Sequence, residues 1–115
     1  MLNSFQVVLD YLEIDTKLIL SSTLEKDNSL RGKDKVKYIC HILGADTYYN
    51  ANGGQELYDK NDFKADGIDL YFVQTNLAPY VQLAKEFVPG LSIIDVLMYN
   101  SRFDAKKMID NYTLI

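Results

Sequence analysis

A helical repeat between two short strand-like runs is the feature of this sequence that most constrains its fold. Over residues 33–43 the apolar side chains recur at helical spacing, at Val36, Ile39, Cys40 and Leu43, and Gly44 follows as a typical helix-ending residue. Residues 17–21 (KLILS) before it and residues 47–51 (TYYNA) after it are runs of the kind that form strands. Strand, helix and strand in this order favour a parallel, right-handed βαβ unit.

The rest of the chain extends this prediction. The further predicted elements are helices over residues 4–12, 91–100 and 102–112, short helical turns at 55–58 and 62–66, and a strand over 68–73. The sequence therefore predicts an α/β fold: a small, mainly parallel sheet of about three strands, with flanking helices and a helical C-terminus. The length indicates a single domain over residues 1–115.

Charge and residue counts exclude several classes of function. The net charge is −4, and each half of the chain has 6 basic and 8 acidic residues, so no basic arm for nucleic acid is present. The apolar runs fall far short of the ~20 residues of a membrane span. A single cysteine, Cys40, and a single histidine, His41, exclude an internal disulfide and the common zinc sites. We expect a cytoplasmic protein without a cofactor.

Tyrosine is abundant, with 9 residues and no tryptophan. Tyrosines can stack on a sugar or a base, although half-buried sheet positions are their commoner place.

Ligands of open parallel sheets bind beyond the carboxyl ends of the strands. Three segments are expected there: Ser21-Ser22 with the following loop, residues 50–54, and residues 74–76. The glycine pair in Asn52-Gly53-Gly54 would let backbone N–H groups approach a phosphate. The alternative is that Asn52 caps a helical turn with Gln55 as its partner, and that the glycines serve only that turn.

A basic cluster lies at the start of the first sheet-flanking helix. Its members are Arg31, Lys33, Lys35 and Lys37 around Gly32, and Arg31 and Lys33 are the candidates to meet an anionic ligand. Asp27 and Asp34 partly cancel this charge, and a solvated helix start is the alternative.

Ser92 and Asp95 are second-rank site candidates because a local structural role explains them. Ser92 has the position of an N-cap and Asp95 lies three residues later, which is the spacing of a capping box. Leu91 and Val96 have the spacing of the accompanying hydrophobic staple.

The string FVPGLSIIDVLMYNS, over residues 87–101, closely resembles the C-terminal signature of the WbqC-like protein family. The middle of the chain resembles the same family through KDNSLRGKDKVKYICHILGADTYYNANGGQELYDKNDF and the following GIDLYFVQ. The matching positions are Gly53-Gly54, Leu57-Tyr58, Phe63, Gly67-Ile68, Phe87-Val88-Pro89 and Leu91 to Asp95. The resemblance covers residues 5–115. Typical members are about twice as long and begin with a Gln-Pro-x-x-Phe-x-Pro type motif and an aspartate-rich stretch, so this chain resembles their later half.

The resemblance implies a bacterial protein associated with surface-polysaccharide synthesis of the O-antigen type. It implies part of a sugar or amino-acyl transferase, with no catalytic residue assigned. Together with the predicted phosphate contacts of Asn52, Gly53 and Gly54, this gives the hypothesis that the chain binds a phosphorylated small molecule or a nucleotide-sugar. The alternative function is a non-catalytic interaction module, or a dimerising domain that needs an N-terminal half or a partner. We expect a homodimer or a partner chain.

Overall fold

The computed structural model describes residues 1–24 and 28–115, which divide into two compact units. The first unit comprises residues 1–18 and 75–112, and the second comprises residues 19–74 and 113–115. The elements are α1 (Leu2–Tyr11), α2 (Gly32–Ile42), β1 (Thr47–Ala51), α3 (Lys60–Ala65), β2 (Asp69–Thr75), α4 (Ile93–Tyr99), α5 (Arg102–Ile109) and β3 (Tyr112–Leu114), with 3₁₀ turns at Ser21–Thr23 and Asn52–Glu56. The predicted α/β class is confirmed. Within the described part of the chain, no helix has the length and apolar character needed to cross a membrane.

The second unit is built on a mixed sheet with the strand order β1-β2-β3. β1 and β2 are parallel, with Thr47 opposite Asp69 and Ala51 opposite Val73, and α3 lies in the crossover between them. At the other edge of β2, Phe72 and Ile115 exchange both backbone hydrogen bonds, at 3.0 and 2.9 Å. This reciprocal exchange is the pattern of an antiparallel pair.

The core of the second unit lies against one face of this sheet. Leu70 and Phe72 alternate with more exposed residues along β2 and are buried together with Phe63, Ile68 and Cys40. Because alternate residues of a strand point to opposite faces, the other face of the sheet is left outside this core.

The strand predicted over residues 17–21 is wrong. Residues 17–20 form no ladder, and Ser21 begins a 3₁₀ turn. Ile19 and Leu20 are 43% and 47% exposed, so this apolar run is not the buried central strand that its composition suggested. The parallel pair forms instead between β1 and β2, on either side of α3.

The helix predicted over residues 102–112 ends early, at Ile109, with Asp110 as its C-cap. The aromatic and β-branched residues that follow form β3 on the edge of β2. These residues form a strand because they hydrogen-bond to β2, which is distant in the sequence. The local periodicity of a sequence does not indicate such pairing.

In the first unit, α1 and α5 are joined around Glu13. The Arg102 guanidinium lies 4.8 Å from the centre of the Tyr11 ring and 3.5 Å from the Glu13 carboxylate. Lys106 Nζ donates a 3.3 Å hydrogen bond to the Glu13 carbonyl. Leu12 and Ala105 are buried in this unit.

Candidate functional site

The Asn52–Glu56 turn lies directly at the carboxyl end of β1. Because β1 and β2 are parallel and Ala51 is in register with Val73, both strands end at the same edge of the sheet. The structure thus places Asn52, Gly53 and Gly54 at a strand end, where the sequence put them.

Side chains and backbone fix the shape of this turn. The Asn50 carboxamide oxygen accepts a 2.7 Å hydrogen bond from the Ala51 N–H. The Leu57 and Tyr58 N–H groups both donate to the Gly54 carbonyl, at 2.9 and 3.1 Å. The turn is therefore closed by its own contacts.

Asn52 is not the N-cap of this turn, so the alternative prediction for it is wrong. The N-cap of the turn is Ala51, without a side-chain cap bond. The Gln55 amide instead donates a hydrogen bond to the Asn52 side-chain oxygen, so the two side chains bond to each other.

The two glycines differ in their surroundings. Neither is among the residues with positive φ, so a side chain is compatible with the backbone at both positions. A Cβ on Gly53 would meet no atom of the described residues within 4 Å, whereas a Cβ on buried Gly54 would lie 2.9 Å from the Asn50 amide nitrogen. Gly53 is the open position of the turn, and Gly54 is the position packed against the Asn50 side chain.

Arg31 and Lys33, the candidates to bind an anionic ligand, both bind groups of the protein itself. Arg31 donates to the carbonyls of Asn28 and Leu30, at 2.9 and 3.3 Å, within its own segment. Lys33 pairs with Asp62 at 2.9 Å. Of the loop expected to follow Ser21-Ser22, residues 25–27, including Asp27, lie outside the described residues.

Lys33 does share a groove with the far end of the turn. Gln55 and Glu56 line this groove of about 520 Å³ with Lys33, Leu57, Tyr58, Asp59 and Asp62. Three carboxylates against one ammonium group make the groove unfavourable for a phosphate. The Gly53 side is the side of the turn that lies away from these carboxylates.

Lys37 has a structural role that the sequence did not reveal. Its ammonium group lies 2.7 Å from an Asp66 oxygen and 3.0 Å from an Asp62 oxygen, and only 9% of the residue is exposed. The hydrogen bonds to Asp66 and Asp62 raise the pKa of Lys37, and those from Lys33 and Lys37 lower the pKa of Asp62. This cluster ties α2 to α3 and removes Lys37 from any ligand role.

Ser92 and Asp95 both serve the first unit. The predicted N-cap is confirmed, since the Ser92 hydroxyl accepts a 3.3 Å hydrogen bond from the Ile94 N–H. Asp95 departs from the predicted capping box. Its carboxylate accepts hydrogen bonds from the Tyr80 hydroxyl and from the Gln82 amide, the latter at 2.9 Å. The bond to Asp95 raises the pKa of Tyr80.

The first unit also contains an apolar cavity of about 280 Å³. Its apolar lining includes Phe87, Leu91, Val96 and Met108. At its polar side the Asn76 N–H donates to the Asn111 carbonyl and the Asn111 amide donates to the Asn76 carbonyl, both at 3.0 Å. The sequence indicated this cavity only through the long irregular segment after β2, since long loops in compact domains are often functional.

Within the described residues, no group of three His, Cys, Asp or Glu side chains is placed to hold a metal ion.

Comparisons with known proteins add one finding. No curated protein and no solved structure matches this chain. The model of the WbqC-like protein family matches residues 1–107. The chain belongs to the WbqC-like protein family.

Proposed function

We propose that this protein acts in bacterial surface-polysaccharide biosynthesis, in the cytoplasm, as part of a sugar or amino-acyl transferase that binds a phosphorylated or nucleotide-sugar ligand. Membership of the WbqC-like family supports the biological setting. The proposal assigns no catalytic residue.

The observation that carries the ligand class is the strand-end turn. Asn52, Gly53 and Gly54 follow β1 at the edge where parallel strands present their carboxyl ends. Within the part of the chain that the structure describes, a Cβ at Gly53 would meet nothing within 4 Å, which leaves room for a phosphate to approach the backbone there. Ser92 and Asp95 are not part of this proposed site, because their hydroxyl and carboxylate are used in the first unit.

Calorimetric titration of the whole chain tests this function. Inorganic phosphate, a nucleoside and a nucleotide-sugar are compared, and the nucleotide-sugar is expected to bind most tightly. Gly53→Val, which adds a branched side chain at the open position, is expected to weaken that binding while the melting temperature changes little. Equal affinity of Gly53→Val and the parent for the nucleotide-sugar would contradict a ligand site at this turn.

The second candidate function is an interaction module or dimerising domain, and the surface of α4 favours it. Ile94 and Met98 are 65% and 78% exposed and, four residues apart, share one face of the helix. Together with Leu91 and Tyr99 they line an open apolar groove. Exposed apolar surface of this kind marks interaction sites. Sedimentation equilibrium, which separates monomer from dimer, tests this function.

A further inference from the structure

The outer face of the sheet in the second unit carries a pair of stacked tyrosines. Tyr48 points to the core and stacks on Phe63, so Tyr49 points to the opposite face. There Tyr49 lies directly opposite Tyr71, with ring centres 5.8 Å apart and ring planes 25° apart. Tyr49 is 56% exposed and Tyr71 36% exposed, so the pair forms an aromatic surface open to solvent.

An exposed cation, Lys60, lies beside this pair. Lys60 Nζ is 5.4 Å from the centre of the Tyr71 ring, and the residue is exposed. Lys60 forms no ion pair with any residue in the described part of the chain. Its neighbour on α3, Lys64, is by contrast paired with Asp69 at 2.6 Å.

A groove runs beside Lys60 and Tyr71, and Tyr49 lies outside its lining. It has a volume of about 260 Å³ and contains Lys60, Lys64, Asp69 and Tyr71 among its lining residues. Two ammonium groups against one carboxylate leave a net charge of +1 in the groove. The groove therefore complements an anion, and its size suits one ring with its substituent rather than a large ligand.

We infer that this face binds the nucleoside phosphate part of a nucleotide-sugar, with the base on the Tyr49–Tyr71 pair and a phosphate oxygen at Lys60. The inference rests on the proposed function for its ligand class and names the surface that recognises the nucleoside end. Stacking on an aromatic side chain accepts any base, since every base has a π-face.

Ligand-observed NMR and calorimetry with three probes test the inference on the whole chain. Uridine has the ring alone, ribose 5-phosphate has the phosphate alone, and UMP has both. We expect UMP to bind more tightly than either fragment and the uracil protons to receive saturation from the tyrosine rings. Equal affinity of ribose 5-phosphate and UMP would overturn the stacking.

Variants separate the two contacts. Tyr49→Ala is expected to weaken UMP binding by roughly 5- to 150-fold, the usual effect of removing a stacked aromatic side chain. Lys60→Met is expected to weaken the binding of UMP but not of uridine, and to reduce the salt dependence of UMP binding. The matched controls are Tyr38→Ala, an exposed tyrosine of the same unit, and Lys85→Met, an exposed lysine of the first unit. If a control variant loses as much affinity as its counterpart, the proposed surface is wrong.

The Gly53 amide resonance distinguishes this inference from the proposed function. A nucleotide-sugar that moves the Gly53 amide while Tyr49→Ala has no effect on affinity supports the turn and overturns the tyrosine surface. A ligand lost in Tyr49→Ala that leaves the Gly53 amide unmoved supports the surface and overturns the turn. Absence of binding by the parent chain at millimolar nucleotide overturns both.

Discussion

The Tyr80 hydroxyl donates a hydrogen bond to the Asp95 carboxylate, which ties the irregular segment after β2 to the first turn of α4. Gln82 strengthens this connection, because its amide donates both to Asp95 and to the Val88 carbonyl while its oxygen accepts from the Val88 N–H. One carboxylate thus organises a segment that has no helix or strand of its own.

Asp95→Ala and Ser92→Ala are expected to differ in their effects. Asp95→Ala removes the acceptor of Tyr80 and Gln82, so limited proteolysis should cut residues 76–91 faster. Ser92→Ala removes the N-cap and should lower the free energy of unfolding by about 0.5–2 kcal/mol without that local effect. Equal cleavage rates in the two variants would contradict the role of Asp95.

Much of the second unit could be predicted because its helix and strands are indicated by residues close together in the sequence. The spacing of Val36, Ile39 and Cys40 placed α2 correctly, and the run TYYNA matched β1 at both ends. Gly44 follows α2 with φ +65°, as expected of a helix-ending glycine.

The missed features depend on partners far away in the sequence. A short apolar run such as KLILS has no periodicity that tells a strand from an irregular segment. Tyr112–Leu114 becomes a strand only through pairing with β2. Asp95 has the spacing of a capping-box residue. The sequence does not show that its carboxylate instead accepts hydrogen bonds from Tyr80 and Gln82.

Alanine at the two glycines of the turn should have opposite effects on stability. Gly54→Ala places a Cβ 2.9 Å from the Asn50 amide nitrogen, so the Asn50 side chain must move. Loss of its hydrogen bond to the Ala51 N–H should lower the free energy of unfolding by about 0.5–1.5 kcal/mol. Gly53→Ala meets no atom of the described residues within 4 Å and should raise it by about 0.4–1 kcal/mol, because alanine restricts the unfolded chain. Chemical denaturation measures both. A Gly54→Ala variant as stable as the parent would show that the turn is looser than described.

Glu13 is a site where glycine should stabilise the protein. It follows α1 with φ +57°, and the Glu13 and Ile14 N–H groups close the helix end on the Asp10 and Leu9 carbonyls. Glu13→Gly should raise the free energy of unfolding by about 1 kcal/mol, because glycine adopts this conformation without strain. Glu13→Ala is the control, since it removes the same carboxylate and keeps the strain. Equal stability of the two variants would contradict this explanation.

The α2–α3 ion cluster predicts how stability falls in acid. Hydrogen bonds from Lys33 and Lys37 lower the pKa of Asp62 below its ordinary value of 3.8. The folded state therefore binds this proton less tightly than the unfolded chain. The stabilisation is present above pH 3.8 and is lost as the pH falls through the lower pKa of the folded state.

Lys33→Met should make the loss of stability in acid less steep, as measured by urea unfolding at a series of pH values. Lys35→Met changes the same charge on the same helix and serves as the control. Equal changes of the acid profile in Lys33→Met and Lys35→Met would assign the effect to net charge. An unchanged profile in Lys33→Met would contradict the role of its pairing with Asp62.

Self-association through α4 is a further prediction. We expect a homodimer in sedimentation equilibrium, and we expect Ile94→Asp to weaken it by placing a charge in the apolar groove. Val81→Asp is the control, because Val81 is also highly exposed in the first unit but does not line that groove. A monomer at high concentration, or a crystal form without a contact above about 1,000 Å², would contradict the prediction.

The most direct test of the proposed ligand site is the backbone amide resonance of Gly53 during titration with a nucleotide-sugar. We expect a saturable shift of this resonance at up to millimolar ligand, with a smaller response to inorganic phosphate. The Gly44 amide, which donates to the His41 carbonyl at the end of α2, should remain still as an internal reference. A Gly53 amide that stays unmoved at saturating ligand would show that the glycines of this turn serve the fold alone.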